Sequence, residues 1–152
     1  MLFRILFLLC FASSLIGYPF TDNGDGSILD NGTGLIWQKC SRGQNTDATC
    51  SGTATVTSWS LALIHCKNLS IGSKTWRLPN IKELRSLVNP AIYSSSLPYI
   101  DSNSFPSTMA GMYWSSTTSR SNVSAWYMSF SNGNNDIQNK AYDAYVRCVS
   151  GP

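Results

Sequence analysis

Apolar positions in the stretch 75–90, T-W-R-L-P-N-I-K-E-L-R-S-L-V-N-P, change from an extended to a helical spacing at one proline. Pro79 bars the residue before it from helical geometry, so Trp76, Arg77 and Leu78 are predicted to be extended. Asn80 then suits a helix N-cap, with Glu83, the only glutamate of the chain, three residues on to complete a capping box. Ile81, Leu84 and Leu87 or Val88 share a helical stripe, and Asn89-Pro90 ends the helix after about two to three turns. Upstream, residues 58–69 place Trp59, Ala62, Leu63, Cys66 and Leu69 on one face of a second amphipathic helix. His65 falls off that stripe and is predicted to lie at the surface.

The remaining pattern is that of strands and turns. Residues 20–39 read as a hairpin: a turn cluster at 22–26, a short strand at 27–29, a second turn at 30–34 and a return strand at 35–39. Residues 41–57 are a polar loop. A long Ser-, Pro- and Asn-rich segment covers 90–111, and three strand-like runs follow at 112–117, 125–130 and 142–149, with 131–135 as the turn between the last two. In the final run Ala144, Val146 and Cys148 alternate with Tyr145, Arg147 and Val149, so the two sets face opposite ways. There are no internal repeats and no collagen-like Gly-x-y run.

Composition narrows the class. The 152 residues make one domain with only 12 % charged but 12 % aromatic residues, as in loop-rich extracellular domains. The formal charge of +3, one less without Arg4, is too small to imply nucleic acid. Residues 1–17 read as a secretory signal, with an apolar run too short to span a membrane, leaving 18–152 as the mature domain and a secreted, cell-surface or periplasmic location. Lipidation at Cys10 is the lesser alternative, because Leu9 stands where a small residue is wanted. Cys40, Cys50, Cys66 and Cys148 remain, an even number that reads as two disulfides with three connectivities. Zinc is disfavoured by the absence of any C-x-x-C pair and by a single histidine. The residues imply no cofactor. Calcium at the acidic turn 22–26 is the remaining metal reading, and its ligand spacing fits poorly because Gly24 stands where an oxygen ligand is needed; Asx turns account for the composition.

Six blocks in order carry a resemblance: D-N-G-D-G-S-I-L-D-N-G-T-G-L-I-W-Q-K-C (22–40), A-L-I-H-C-K-N-L (62–69), W-R-L-P-N-I-K-E-L-R-S-L-V (76–88), Y-W-S-S-T (113–117), A-W-Y-M-S-F-S-N-G (125–133) and Y-V-R-C-V (145–149). Together they resemble the bacterial Lcl C-terminal domain family, named after the C-terminal domain of a collagen-like surface adhesin. The resemblance implies an α+β, C-type-lectin-like fold: a terminal antiparallel hairpin paired with the last strand, two helices, a long loop and a second small sheet. It also implies the disulfides Cys66–Cys148 and Cys40–Cys50; Cys40–Cys148 is the competing pairing, because both residues end strands expected to lie near each other. In function it implies a secreted or surface-exposed adhesion module whose partner is a sulfated polysaccharide, host matrix or another surface protein.

Cations suit sulfate groups, and Lys74, Arg77, Lys82 and Arg85 fall within twelve residues, with Lys82 and Arg85 on one helix face. The competing account makes them solvated charges, with Arg77 packed against neighbouring strands. A protein-binding surface using Tyr93, Tyr99 and Tyr113 as exposed loop aromatics is the second reading. Catalysis is not expected. General acid–base work is poorly served by one Glu and one His, and an enzyme of the formylglycine-generating type would need a reactive thiol beyond the four structural cysteines.

Overall fold

The computed structural model describes residues 19–89 and 97–151. The signal segment, Cys10, Tyr93 and Pro90 lie outside them. In chain order the elements are β1 (Phe20–Asp22), β2 (Ser27–Asp30), β3 (Ile36–Gln38), α1 (Trp59–Lys67), α2 (Ile81–Ser86), β4 (Met112–Thr118), β5 (Ser124–Ser129), β6 (Asn135–Asn139) and β7 (Val149–Ser150). They form a mixed α+β domain with two antiparallel sheets, ordered β1-β2-β3-β7 and β4-β5-β6.

The predicted hairpin is present as β2–β3, with Ile28 opposite Trp37, and β1 adds a third strand outside it. The last strand closes this sheet, Trp37 facing Val149.

The segment before β7 holds the two sheets together. Ala144 bridges Thr57, Tyr145 bridges Tyr113, and Val149 exchanges backbone hydrogen bonds of 2.9 Å with Arg77. Its partner changes every few residues, so the predicted strand 142–149 is regular only at Val149–Ser150. The predicted alternation does hold. Ala144, Val146 and Cys148 pack in one core cluster with Trp76, Leu78, Trp114 and Ala125, while Tyr145 and Val149 pack in the other with Trp37, Leu84, Tyr113 and Met128.

The turn at 131–135 leads into β6, which pattern reading missed. Its sequence N-D-I-Q-N has poor strand propensity, yet pairing of Trp126 with Ile137 and Tyr127 with Asp136 makes it the outer strand.

Local rules govern α2. Glu83 N–H donates to the Asn80 side chain at 2.9 Å, and Asn80 N–H donates to Glu83 Oε2 at 2.8 Å, the full capping box. The helix stops at Ser86, short of the expected Asn89, because Leu87 already caps it and turns into the core. Residues 97–111 are better packed than a loop-rich segment suggests, with Ile100 and Phe105 fully buried.

Both disulfides implied by the family resemblance are formed. Cys66 on α1 bonds Cys148 with Cα atoms 5.4 Å apart, and Cys40 bonds Cys50 at 5.1 Å. The Cys40–Cys148 alternative is thereby overturned. The Cys40–Cys50 loop is organised by the Asp47 carboxylate, which accepts from Thr49 N–H and Ser51 N–H and from both hydroxyls. The Ser51 and Thr49 hydrogen bonds hold its pKa down at about 2.

Candidate functional site

The four cations singled out in the sequence do not share one environment. Lys74, in the loop before α2, donates to Asp25 Oδ2 at 2.7 Å across the molecule. Arg77 makes a two-pronged pair with Glu83, each N···O distance 2.8 Å, so the glutamate that caps α2 also fixes this guanidinium. That hydrogen-bonded pairing raises the Arg77 pKa against the effect of burial. Burial alone would raise the Glu83 pKa, but the Arg77 bonds and the Asn80 N–H outweigh it and hold the carboxyl below its ordinary range.

Lys82 and Arg85 differ. Both are exposed on α2, and neither has a carboxylate partner among the described residues. Beside the helix runs an open groove of about 500 Å³, whose lining includes Leu63, Lys67, Trp76, Arg77 and Glu83.

The acidic turn spends its carboxylates on lysines and on its own backbone. Asp22 pairs with Lys39 at 2.8 Å and accepts from Gly24 N–H, while Asp25 pairs with Lys74 and accepts from Ser27 N–H. These bonds, the lysine in each case first, lower both pKa values. No three His, Cys, Asp or Glu groups come together among the described residues.

Three expectations need correction. Tyr113 is fully buried, not an exposed loop aromatic: it lies on β4, its hydroxyl bonded to Ser41 Oγ at 2.9 Å and accepting from Met109 N–H at 3.1 Å. Tyr99 is partly buried, with its backbone tied between Asn89 and Phe130. His65 is half-buried instead of at the surface, its Nε2 enclosed without a hydrogen-bond partner, and burial together with nearby Arg42 lowers its pKa.

Sequence reading also passed over Arg147. It is fully buried with no carboxylate partner among the described residues. One guanidinium nitrogen donates to the Gln38 and Lys39 carbonyls; the other reaches Ser41 Oγ at 3.2 Å and Thr108 Oγ1 at 2.8 Å. Its plane also stands over the Phe105 ring, 4.8 Å from the centroid. Arg147 therefore knots β3, the Cys40 loop, the 97–111 segment and the stretch leading into β7. The signal in the sequence was a lone charge inside the apolar alternation Y-V-R-C-V.

These features define a disulfide-clamped α+β domain in which Lys39, Lys74 and Arg77 are held in structural ion pairs, while Lys82 and Arg85 leave an exposed cationic face on α2. The sequence profile of the Lcl C-terminal domain family matches residues 26–150, and the chain belongs to that family. No curated protein matches the chain. Among the described residues, no helix is long and apolar enough to cross a membrane.

Proposed function

We propose that this protein is a secreted or surface-exposed bacterial adhesion module of C-type-lectin-like fold, without catalytic activity, that binds anionic glycans through the cationic face of α2. Family membership supports the surface role. The disulfide from α1 to Cys148, immediately before the last strand, and the closure of the terminal sheet by that strand, support the fold assignment. One observation carries the ligand class: Lys82 and Arg85 are exposed one helical turn apart with no carboxylate to neutralise them. Lys74 and Arg77 contribute only if a sulfate competes with Asp25 and Glu83, so they are auxiliary.

The test is retention of the oxidised protein on immobilised heparin across a salt gradient, with and without chelator. Retention that falls steeply with salt, ignores chelator and drops in a Lys82→Ala, Arg85→Ala double variant is expected. Unchanged retention of the double variant would move the site elsewhere. Absence of retention by the parent protein even at low salt would refute the glycan reading altogether.

A further inference from the structure

We propose that the groove beside Trp126, on the second sheet, is a saccharide subsite that stacks one sugar ring on the indole and pairs its carboxylate or sulfate with Arg120. The proposal rests on the anionic-glycan reading above and adds a second, chemically different contact to it. The groove has a volume of about 470 Å³ and is lined by Thr118, Ser119, Arg120, Ser121, Trp126 and Ile137. Its apolar floor is a cross-strand pair, Trp126 on β5 opposite Ile137 on β6, with Ile137 46 % exposed. Three hydroxyl side chains and one guanidinium make the rim. An apolar shelf beside hydroxyls and an unpaired cation suits a pyranose, which offers a C–H face, hydroxyl edges and, when acidic, an anion.

The other tryptophans are committed elsewhere. Trp59, Trp76 and Trp114 each donate their indole N–H to a backbone carbonyl, and Lys140 stands over the Trp59 ring at 4.2 Å. Trp37 is fully buried. Trp126 is only half-buried, and its indole N–H makes no hydrogen bond among the described residues.

Arg120 is equally uncommitted. Arg42 is bonded to Thr55, Arg77 to Glu83 and Arg147 to backbone carbonyls, whereas exposed Arg120 has no hydrogen bond or ion pair among the described residues.

The loop that carries Arg120 is nevertheless held in shape. Ser119 N–H donates to Ser124 O at 2.9 Å, Asn122 N–H to Ser119 O at 3.2 Å, and Lys140 Nζ to Asn122 O at 2.7 Å. The loop backbone is therefore preformed, and the ordering cost of binding falls on the Arg120 side chain. Charge complementarity selects an anionic sugar over a neutral one. The position also suits a composite surface: Trp126 is two residues from Met128 on β5, and Met128 shares a core cluster with Leu84 of α2 and Leu87 at its C-cap, so the helix bearing Lys82 and Arg85 stands on the same sheet face.

The test is titration of the ¹⁵N-labelled oxidised protein with a heparin tetrasaccharide, using the parent, Arg120→Ala, Trp126→Ala, and the Lys82→Ala, Arg85→Ala variant. Near-UV circular dichroism checks each fold. The expected result is a shift of the Trp126 indole resonance on binding and an affinity about tenfold weaker for Arg120→Ala, the loss of one charge-assisted contact. Arg120 is on an exposed loop, so that variant stays informative if Trp126→Ala misfolds. Binding that weakens only in the α2 double variant, with no indole shift, overturns the subsite and leaves the α2 reading standing. No binding by the parent overturns both. An indole shift with an acidic peptide but none with the tetrasaccharide overturns the saccharide assignment.

Discussion

Arg147 offers the sharpest test of how the core is held. A buried cation normally costs several kcal/mol in lost solvation, and an apolar replacement is often neutral or stabilising when the whole polar group is removed. Here the acceptors cannot be removed with it, because two are backbone carbonyls, Gln38 O and Lys39 O, and two are the hydroxyls of Ser41 and Thr108. Arg147→Met keeps most of the volume but leaves these acceptors without their donor. At about 1–3 kcal/mol per unsatisfied buried group, and with the hydroxyls free to rotate toward other partners, the net loss is roughly 4 kcal/mol. Arg147→Lys keeps the charge and one or two of the bonds, so about 2 kcal/mol is expected. Arg147→Ala adds a cavity and ranks last.

For a domain of this size the methionine variant should melt roughly 8–16 °C below the parent. The assay is reversible urea and thermal unfolding with disulfides intact, followed by near-UV circular dichroism. The predicted order is Arg, Lys, Met, Ala. If Arg147→Met proved as stable as the parent, or more stable than Arg147→Lys, desolvation would outweigh the hydrogen bonds and the reasoning would fail.

Glu83 and the two disulfides test the frame around it. Glu83→Ala removes the capping box and the Arg77 pair, and should cost about 2 kcal/mol, with most of it from the cap because the Arg77 side chain is 40 % exposed. Since the folded Glu83 pKa lies below its ordinary 4.5, its ionised form stabilises the fold above that value and the benefit disappears as pH falls through the folded pKa. The stability gap between the parent and Glu83→Gln should therefore narrow as the pH falls below the ordinary 4.5, and a gap unchanged between pH 7 and pH 3 would contradict the assignment. Replacing Cys66 and Cys148 together by alanine opens a bridge spanning 82 residues, a loss of about 4–5 kcal/mol on the loop-entropy account, against about 3 kcal/mol for the Cys40–Cys50 bridge. Peptide mapping of the non-reduced protein checks the pairing directly, and Cys66 found bonded to Cys40 or Cys50 would overturn it.

What could be read from the chain alone was whatever depends on neighbours a few residues apart. Pro79, Asn80 and Glu83 specify the start of α2 by themselves, because a cap and its box close within four residues. The buried stripe of α1 and the two-sided alternation of 144–149 follow from helical and strand periods that need no partner to be recognised. The family resemblance then supplied what spacing could not, the pairing of the four cysteines.

Tertiary packing decided the rest. β6 is a strand because Tyr127 and Trp126 lie beside it, against the propensity of N-D-I-Q-N. Lys74 is neutralised by Asp25, 49 residues away, so a cation counted as free in the sequence is not free in the fold. Tyr113 and Arg147 look like surface residues by type, yet both are enclosed because chain segments distant in sequence bring acceptors to their polar ends. The shelf of Trp126 and Ile137 beside Arg120 exists only once β5 and β6 pair and their loop folds back. Local chemistry sets the ends and faces of the elements, whereas a polar group's availability to a ligand depends on what the rest of the chain brings within hydrogen-bond distance of it.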